Sequence, residues 1–140
     1  MTSTASDTNV QPLWTLRVPE PSGGWLTANA RLHHLARSRR TKVLRRLGYL
    51  LGRQNRCPHL QRAHLVLVFH FATARRRDAG NLAPTAKALV DGLVDAGLLE
   101  DDDDTRLIGP DLRTGTPAGR GASWVDVLVY DTPARSVVLR

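Results

Sequence analysis

The sequence predicts one α+β domain in which a small mixed sheet of about four to five strands packs against two main helices. Three observations predict this class. The apolar burst Leu65–Phe69 has the length of a buried strand rather than of a helix. Segments 43–51 and 82–96 repeat apolar residues at helical spacing. Further β-compatible runs stand near both ends of the chain, beside Gly- and Pro-containing turns.

The length of 140 residues fits a single domain with one core. Residues Met1–Pro12 are small and polar and lack the basic start and apolar stretch of a secretory signal, so we expect residues 1–12 to form a disordered tail before a domain over 13–140. Cys57 is the only cysteine, which excludes an internal disulfide and fits a reducing compartment. No apolar run approaches the roughly eighteen residues that span a bilayer. The sequence therefore predicts a soluble, cytoplasmic protein without a membrane partner.

The first half of the chain predicts one strand and one helix. Leu13–Val18 is a β-compatible run that ends at a Pro- and Gly-rich segment. Residues 25–40 are polar and basic and are interpreted as a loop that enters a helix. An amphipathic helix follows, whose basic face we expect to be solvated while its apolar face packs on the core; the apolar positions are Val43, Leu44, Leu47, Leu50 and Leu51.

The second half begins with the best candidate for a central strand, His64–Ala72, whose two faces both look largely buried. A second helix is predicted from about Leu82 to Ala96, with Gly97 suited to the position after its C-cap. Thr105–Leu112 and Ser123–Tyr130 then predict an antiparallel hairpin. Residues 135–140 are expected to add a short edge strand.

Basic residues outnumber acidic ones and give a net charge of +7. Of the twenty basic residues only Lys42 and Lys87 are lysines, so nearly all positive charge is guanidinium, which binds phosphate oxygens in a bidentate manner. A polyanionic partner is the natural expectation, although genome base composition also explains heavy arginine use. The residues expected to contact such a partner are Arg39, Arg40, Arg45, Arg46, Arg75, Arg76 and Arg77, and the resemblance described below adds Asn81 and implies that the partner is DNA.

Acidic residues concentrate in one segment, residues 75–104, which holds eight of the thirteen carboxylates. Two carboxylates about 4 Å apart repel each other by roughly 4 kcal/mol at an effective dielectric constant near 20. A hard divalent cation such as Mg²⁺ would relieve that repulsion if Asp78, Asp91 and one of the four consecutive aspartates 101–104 converged. A solvated acidic loop and an exposed Lys87–Asp91 ion pair are the alternative interpretation.

Helix geometry constrains this convergence. A helix of about fifteen residues is roughly 22 Å long, which separates Asp78 from the four aspartates. Either the chain doubles back after the helix, or a dimer partner contributes the missing carboxylate. Other motifs fail: an EF-hand loop from Asp101 would place Leu112 where glutamate belongs, and neither a dinucleotide fingerprint nor a Walker motif occurs. We therefore expect no nucleotide cofactor.

A series of short motifs resembles the RusA-type Holliday junction resolvases. The series runs Arg77-Asp78-x-x-Asn81-Leu82, then Lys87, then Asp91-Gly-Leu93, then Ala96-Gly97, then Asp101-Asp102. It covers about thirty residues, and the order of the flanking elements agrees from Leu13 to Tyr130. The resemblance implies a homodimeric, Mg²⁺-dependent endonuclease that cuts four-way DNA junctions symmetrically in recombination and repair.

The resemblance also implies roles for individual residues. Asp78 and Asp102 match catalytic aspartates, and Arg77 and Asn81 match their neighbours in the series. Lys87 stands on the helix where the family has a lysine, within an interval between Asn81 and Asp91 that is longer than the typical one. Gly80 departs from the pattern, because the family has its second catalytic aspartate there. The expected catalytic residues are Asp78, Asp102, Lys87 and Arg77, and the expected metal ligands are Asp78, Asp91, Asp101 and Asp102.

Two other functions stay open at this point. A basic DNA-binding protein without catalysis is the first, because Gly80 would then mark a degenerate metal site. A basic structural or interaction domain with the aspartates in a solvated loop is the second. Steep salt dependence of DNA binding would distinguish the endonuclease and the DNA-binding protein from the structural or interaction domain. Mg²⁺-dependent nicking would then distinguish the endonuclease from the DNA-binding protein.

Overall fold

The computed structural model describes residues 11–74 and 77–132. The α+β class is confirmed, with a four-stranded mixed sheet and two helices in these ranges. In chain order the elements are β1 Trp14–Pro19, α1 His34–Gln54, β2 Ala63–His70, a 3₁₀ turn Ala79–Leu82, α2 Ala83–Asp95, β3 Leu107–Thr114 and β4 Trp124–Asp131.

The strands lie in the order β1-β4-β2-β3. Strand β2 pairs parallel to β3 and antiparallel to β4, and β4 also pairs antiparallel to β1. The central position predicted for β2 is therefore confirmed. The predicted hairpin is wrong, because β4 lies between β1 and β2, and β3 pairs on the far side of β2.

The residues of β3 explain why this strand and not β4 lies at an edge. The alternating residues Val125, Val127 and Val129 of β4 are all fully buried against the core. Strand β3 contains Gly109 and Pro110, and a proline cannot donate a hydrogen bond to a sheet ladder. Its pairing with β2 also shifts register near this point. Strand β3 therefore lies at the edge of the sheet.

The predicted first strand and second helix are confirmed to within a residue or so, as β1 and α2. Helix α1 begins earlier than its apolar repeat suggested, at His34, where the Nδ1 atom of His33 accepts a hydrogen bond from the Leu35 amide over 3.2 Å. The predicted edge strand 135–140 and most of the predicted tail lie outside the described residues. No helix in the described ranges is long and apolar enough to cross a membrane.

Both helices pack on one face of the sheet and share a core with it. The two helices approach each other closely through two buried glycines. A Cβ atom on Gly48 would lie 2.6 Å from the Leu89 carbonyl oxygen, and one on Gly92 would lie 2.1 Å from the Arg45 carbonyl oxygen. This contact fixes α2 against α1 and leaves Lys87 exposed on another face of α2.

Candidate active site

A lysine and two aspartates come together beside α2. The Nζ atom of Lys87 lies 3.1 Å from Oδ1 of Asp91 and 2.7 Å from Oδ2 of Asp102. Lys87 and Asp91 are four residues apart on the helix, so their side chains share a face. Asp102 comes from the segment that follows the helix. We call these three residues the Lys87 cluster.

The chain doubles back after α2 to bring Asp102 to the helix. Gly97 has a φ of +106°, the left-handed conformation that glycine adopts easily. Its amide donates to the Val94 carbonyl and the Leu98 amide donates to the Leu93 carbonyl, over 2.9 and 3.0 Å, which is a Schellman motif. The predicted C′ glycine is therefore confirmed, and the chain doubles back far enough to bring Asp102 to Lys87 and Asp91, but not to Asp78.

Hydrogen bonding within the Lys87 cluster stabilises its charged form. The bond from the Lys87 ammonium to Asp102 holds the pKa of that carboxyl below its usual range. The same bond, with a second contribution from Asp91, raises the pKa of Lys87. The lysine side chain is 66% exposed, whereas those of Asp91 and Asp102 are 23% and 29% exposed. The ammonium therefore lies over two carboxylates that are recessed behind it.

The four consecutive aspartates have different surroundings. Asp101 is exposed, and its Oδ1 accepts a hydrogen bond from the Asp102 amide over 2.8 Å. Asp103 caps a turn: it binds Thr105 and forms an ion pair of 2.7 Å with Arg106. Only Asp102 contacts the lysine of α2. Asp101 therefore lies next to the cluster through its bond to Asp102, while Asp103 stabilises the local backbone.

Asp78 lies at the start of the 3₁₀ turn, where its Oδ1 accepts a hydrogen bond from the Gly80 amide over 3.0 Å. It lines a cleft of about 450 Å³ together with Arg77 and Asn81. Lys87 and Asp102 line a different depression of about 210 Å³, beside residues of β3. The structure thus groups Asp91 with Asp102 and places Asp78 in a separate recess.

The four carboxylates expected to bind Mg²⁺, those of Asp78, Asp91, Asp101 and Asp102, do not form one group. Within residues 11–74 and 77–132, no three His, Cys, Asp or Glu side chains lie close enough together to hold a metal ion. Mg²⁺ is usually bound through one or two carboxylates, several waters and the phosphates of a substrate, so Asp91 and Asp102 are the two carboxylates here that would fit such an ion. The Lys87 ammonium already lies against both carboxylates and would have to give way to the ion.

The α1 arginines predicted to contact DNA divide into exposed ones and ones that bind other parts of the described chain. Arg39 and Arg46 are exposed on α1. Arg45 instead forms a two-bond ion pair with Asp95 of α2, at 2.7 and 2.9 Å, which lowers the pKa of Asp95. Arg40 donates to the Ser22 carbonyl over 3.1 Å. Of the four α1 arginines predicted to contact DNA, Arg40 and Arg45 therefore hold the fold together as well as contributing charge.

The remaining predicted contacts lie at the Asp78 cleft or outside the described residues. Arg75 and Arg76 are outside the described ranges. The guanidinium of Arg77 stacks on Phe71, with Cζ 4.2 Å from the ring centroid. The side-chain amide of Asn81 donates to Asn29 Oδ1 over 3.2 Å. Arg77 and Asn81 thus lie beside Asp78.

Sequence reasoning missed the aromatic part of this cleft. Trp25 and Phe71 both line it, although they come from a loop and from the end of β2. It also missed Thr85, a fully buried polar residue whose hydroxyl accepts from the Leu26 amide and donates to the Leu26 carbonyl, over 2.7 and 2.8 Å. The only sign in the sequence of this contact between α2 and the Leu26 backbone was a threonine among the apolar positions of the helix.

No protein-family model matches the chain, and no curated protein matches its sequence.

Proposed function

We propose that this protein is a Mg²⁺-dependent endonuclease that cuts branched DNA, with the four-way junction as its substrate. The observation that carries the proposal is the Lys87 cluster, in which two recessed carboxylates meet one cation in a chain of net charge +7. The motif series around Asp78 and Asp102, which resembles the RusA-type resolvases, supports the same function. The protein would act in the cytoplasm.

The residues of the Lys87 cluster and of the Asp78 cleft would have different roles. Asp91 and Asp102 would hold Mg²⁺, with Asp101 beside them, and the bound ion would activate water and polarise the scissile phosphate. Asp78 lies in the separate cleft, so its carboxylate would join that ion only from the partner subunit of a dimer. Lys87 compensates the two carboxylates in the free protein. Once displaced, its ammonium would lie next to the phosphate and offset negative charge there. The Arg77 guanidinium, which lies at the Asp78 cleft, would also offset negative charge on the phosphate.

The positive charge of α1 suits the duplex arms of a junction. Arg39 and Arg46 are exposed, and guanidinium groups bind phosphate oxygens without reading the base sequence. Binding through such contacts would weaken steeply with added salt. A homodimer would present two equivalent sites to the two-fold symmetric junction, so that each subunit cuts one strand.

Substitution of the two matched aspartates tests the catalytic assignment. Asp78→Asn and Asp102→Asn should each abolish Mg²⁺-dependent junction cleavage while preserving side-chain shape. Asp102→Asn removes a charged oxygen ligand, and Asp78→Asn removes the carboxylate that the resemblance assigns to catalysis. Junction affinity measured in EDTA should change little, since neither residue is a cation. Gel assays of cutting and of binding on the same preparations provide the measurement; undiminished cutting by either variant would refute the assignment.

The second candidate function is DNA binding without catalysis. Two observations favour it: Lys87 already occupies the space between the two carboxylates and offsets one of their two charges, and Gly80 offers no carboxylate beside Asp78. This alternative predicts junction binding that is salt-dependent but indifferent to Mg²⁺, with no nicks in either strand. The endonuclease predicts nicks that require Mg²⁺ and disappear with a chelator.

A further inference from the structure

The cleft beside Asp78 is preformed by buried anchors. The loop that forms one side of it is held to α2 by the two hydrogen bonds between Thr85 and Leu26. A third bond of 2.8 Å joins the Ala28 amide to the Asn81 carbonyl. A site held in place before a ligand arrives loses little conformational entropy on binding.

Flat groups form the walls of this cleft. The Arg77 guanidinium covers the Phe71 ring at 4.2 Å, and Phe71 in turn lies near-parallel to Phe69, with centroids 6.3 Å apart. Trp25 meets Phe69 edge-on at 5.7 Å, so its own orientation is fixed. Trp25 and Phe71 are only half-buried and therefore retain surface for a ligand.

Polar groups complete the lining. Glu20 accepts a hydrogen bond from the Trp25 amide over 3.0 Å, and a carboxylate has capacity for more than one such bond. Asn81 carries an amide that both donates and accepts. Together with Asp78 and Arg77, these groups surround a volume of about 450 Å³. The combination of a flat cationic stack, an aromatic wall and hydrogen-bonding edges is typical of sites that hold single nucleobases.

We infer that this cleft holds one unstacked nucleobase of the DNA strand that passes Asp78. The inference rests on the proposed endonuclease function and adds to it the way in which the strand is positioned. The base would stack against the Phe71–Arg77 pair, and its polar edge would face Asn81 and Glu20. Bases at a branch point are the easiest to unstack, so the cleft would favour junctions over continuous duplex.

A scan with abasic nucleotides tests the inference without relying on cleavage. Each nucleotide near the exchange point of a synthetic four-way junction is replaced in turn by an abasic residue, and Kd is measured in EDTA for the wild type and for Phe71→Leu. At one position we expect the abasic replacement to weaken wild-type binding by roughly 5- to 150-fold, as expected for one stacked base. Phe71→Leu should bind the intact junction more weakly by a similar factor and lose nothing further at that position.

Controls separate stacking from other effects. Phe71→Tyr keeps the ring and should restore sensitivity to the abasic position, whereas Arg46→Gln on α1 should weaken intact and abasic junctions equally. If Phe71→Leu fails to fold, Trp25→Leu tests the aromatic wall at the same nucleotide. If Phe71→Leu and the abasic replacement each weaken binding independently at every scanned position, the inference is wrong while the proposed function stands. Absence of any DNA binding would overturn both the inference and the proposed function.

Discussion

Gly80 is the residue that most clearly separates this chain from the resolvases it resembles. It is exposed, and a Cβ atom placed on it would meet its nearest neighbour, Asp78 Oδ1, at 3.3 Å. A side chain therefore fits there after a small adjustment of Asp78. Lack of space therefore does not explain why this position has no carboxylate.

Gly80→Asp should consequently strengthen the response to Mg²⁺. A second carboxylate beside Asp78 would repel it in the free protein, and a divalent ion would relieve that repulsion. We expect the Mg²⁺ concentration for half-maximal junction cleavage to fall about tenfold, equivalent to about 1.4 kcal/mol. Gly80→Asn, which has the same shape without the charge, should give no gain, and equal behaviour of the two variants would contradict the argument.

The Lys87 cluster was only partly predictable from sequence. The Lys87–Asp91 pair follows from helical spacing alone, and Gly97 indicated where the chain turns. Which of the four consecutive aspartates meets the lysine depends on side-chain bonds within the turn, where Thr105 and Arg106 engage Asp103. The neighbours of Asp78 were unpredictable for a related reason, because Trp25 and Phe71 are distant from it in the chain and reach it only through the tertiary fold.

The contact between α1 and α2 depends on glycine more than on any other residue type. At Gly92, an added Cβ atom would lie 2.1 Å from the Arg45 carbonyl oxygen and 2.7 Å from the Tyr49 amide nitrogen. Both neighbours are backbone atoms, which cannot rotate away. The helices would have to separate, and α2 carries two members of the Lys87 cluster.

Gly92→Ala should therefore destabilise the protein by about 1–3 kcal/mol or more, as overpacking of a tight core contact does. Urea denaturation followed by circular dichroism measures the change. Gly80→Ala is the matched control: its Cβ would face only the Asp78 side chain, so we expect a much smaller effect. A Gly92→Ala protein as stable as the control would show that the helix contact is loose.

The strand order shows where local patterns stop being informative. The run 105–112 and the run 123–130 are neighbours in the chain, and adjacency alone suggested that they pair. The decisive information was the Gly109-Pro110 pair of β3, because a proline cannot donate a hydrogen bond to a sheet ladder. That pair is visible in the sequence, but it indicates an edge position only after the strands themselves are known.

The ion pairs between elements make the stability of the whole protein depend on pH. Hydrogen bonds from Arg45 and Lys87 lower the pKa values of Asp95 and Asp102 in the folded protein. Each carboxylate then stabilises the fold above its unfolded pKa of about 4, and this contribution is lost as the pH falls through the lower folded value.

We therefore expect the urea concentration at which half of the wild-type protein is unfolded to decrease as the pH is lowered from 6 to 3. Asp95→Asn should have a lower midpoint at pH 6 and a smaller fall, because the asparagine cannot lose a charge that it does not have. The effect should be modest, since both side chains of the Arg45–Asp95 pair are over a third exposed. Identical pH profiles for the variant and the wild type would mean that this pair does not contribute.

The distribution of charge gives the molecule two chemically different regions. Exposed guanidinium groups lie along α1, and recessed carboxylates lie beside α2. Under the proposed function, an anionic DNA backbone would be attracted by the first region and would reach the second only where a cation compensates the carboxylates. Cleavage would therefore require a metal ion that joins protein and DNA.

Incubation of the protein with a synthetic four-way junction and a linear duplex of matched sequence, each with Mg²⁺ and with EDTA, tests that claim most directly. Paired, symmetric nicks in the junction, present with Mg²⁺ and absent with EDTA and in the duplex, are the result that we predict. A junction that is bound but remains uncut in Mg²⁺ would contradict the endonuclease and leave the DNA-binding alternative.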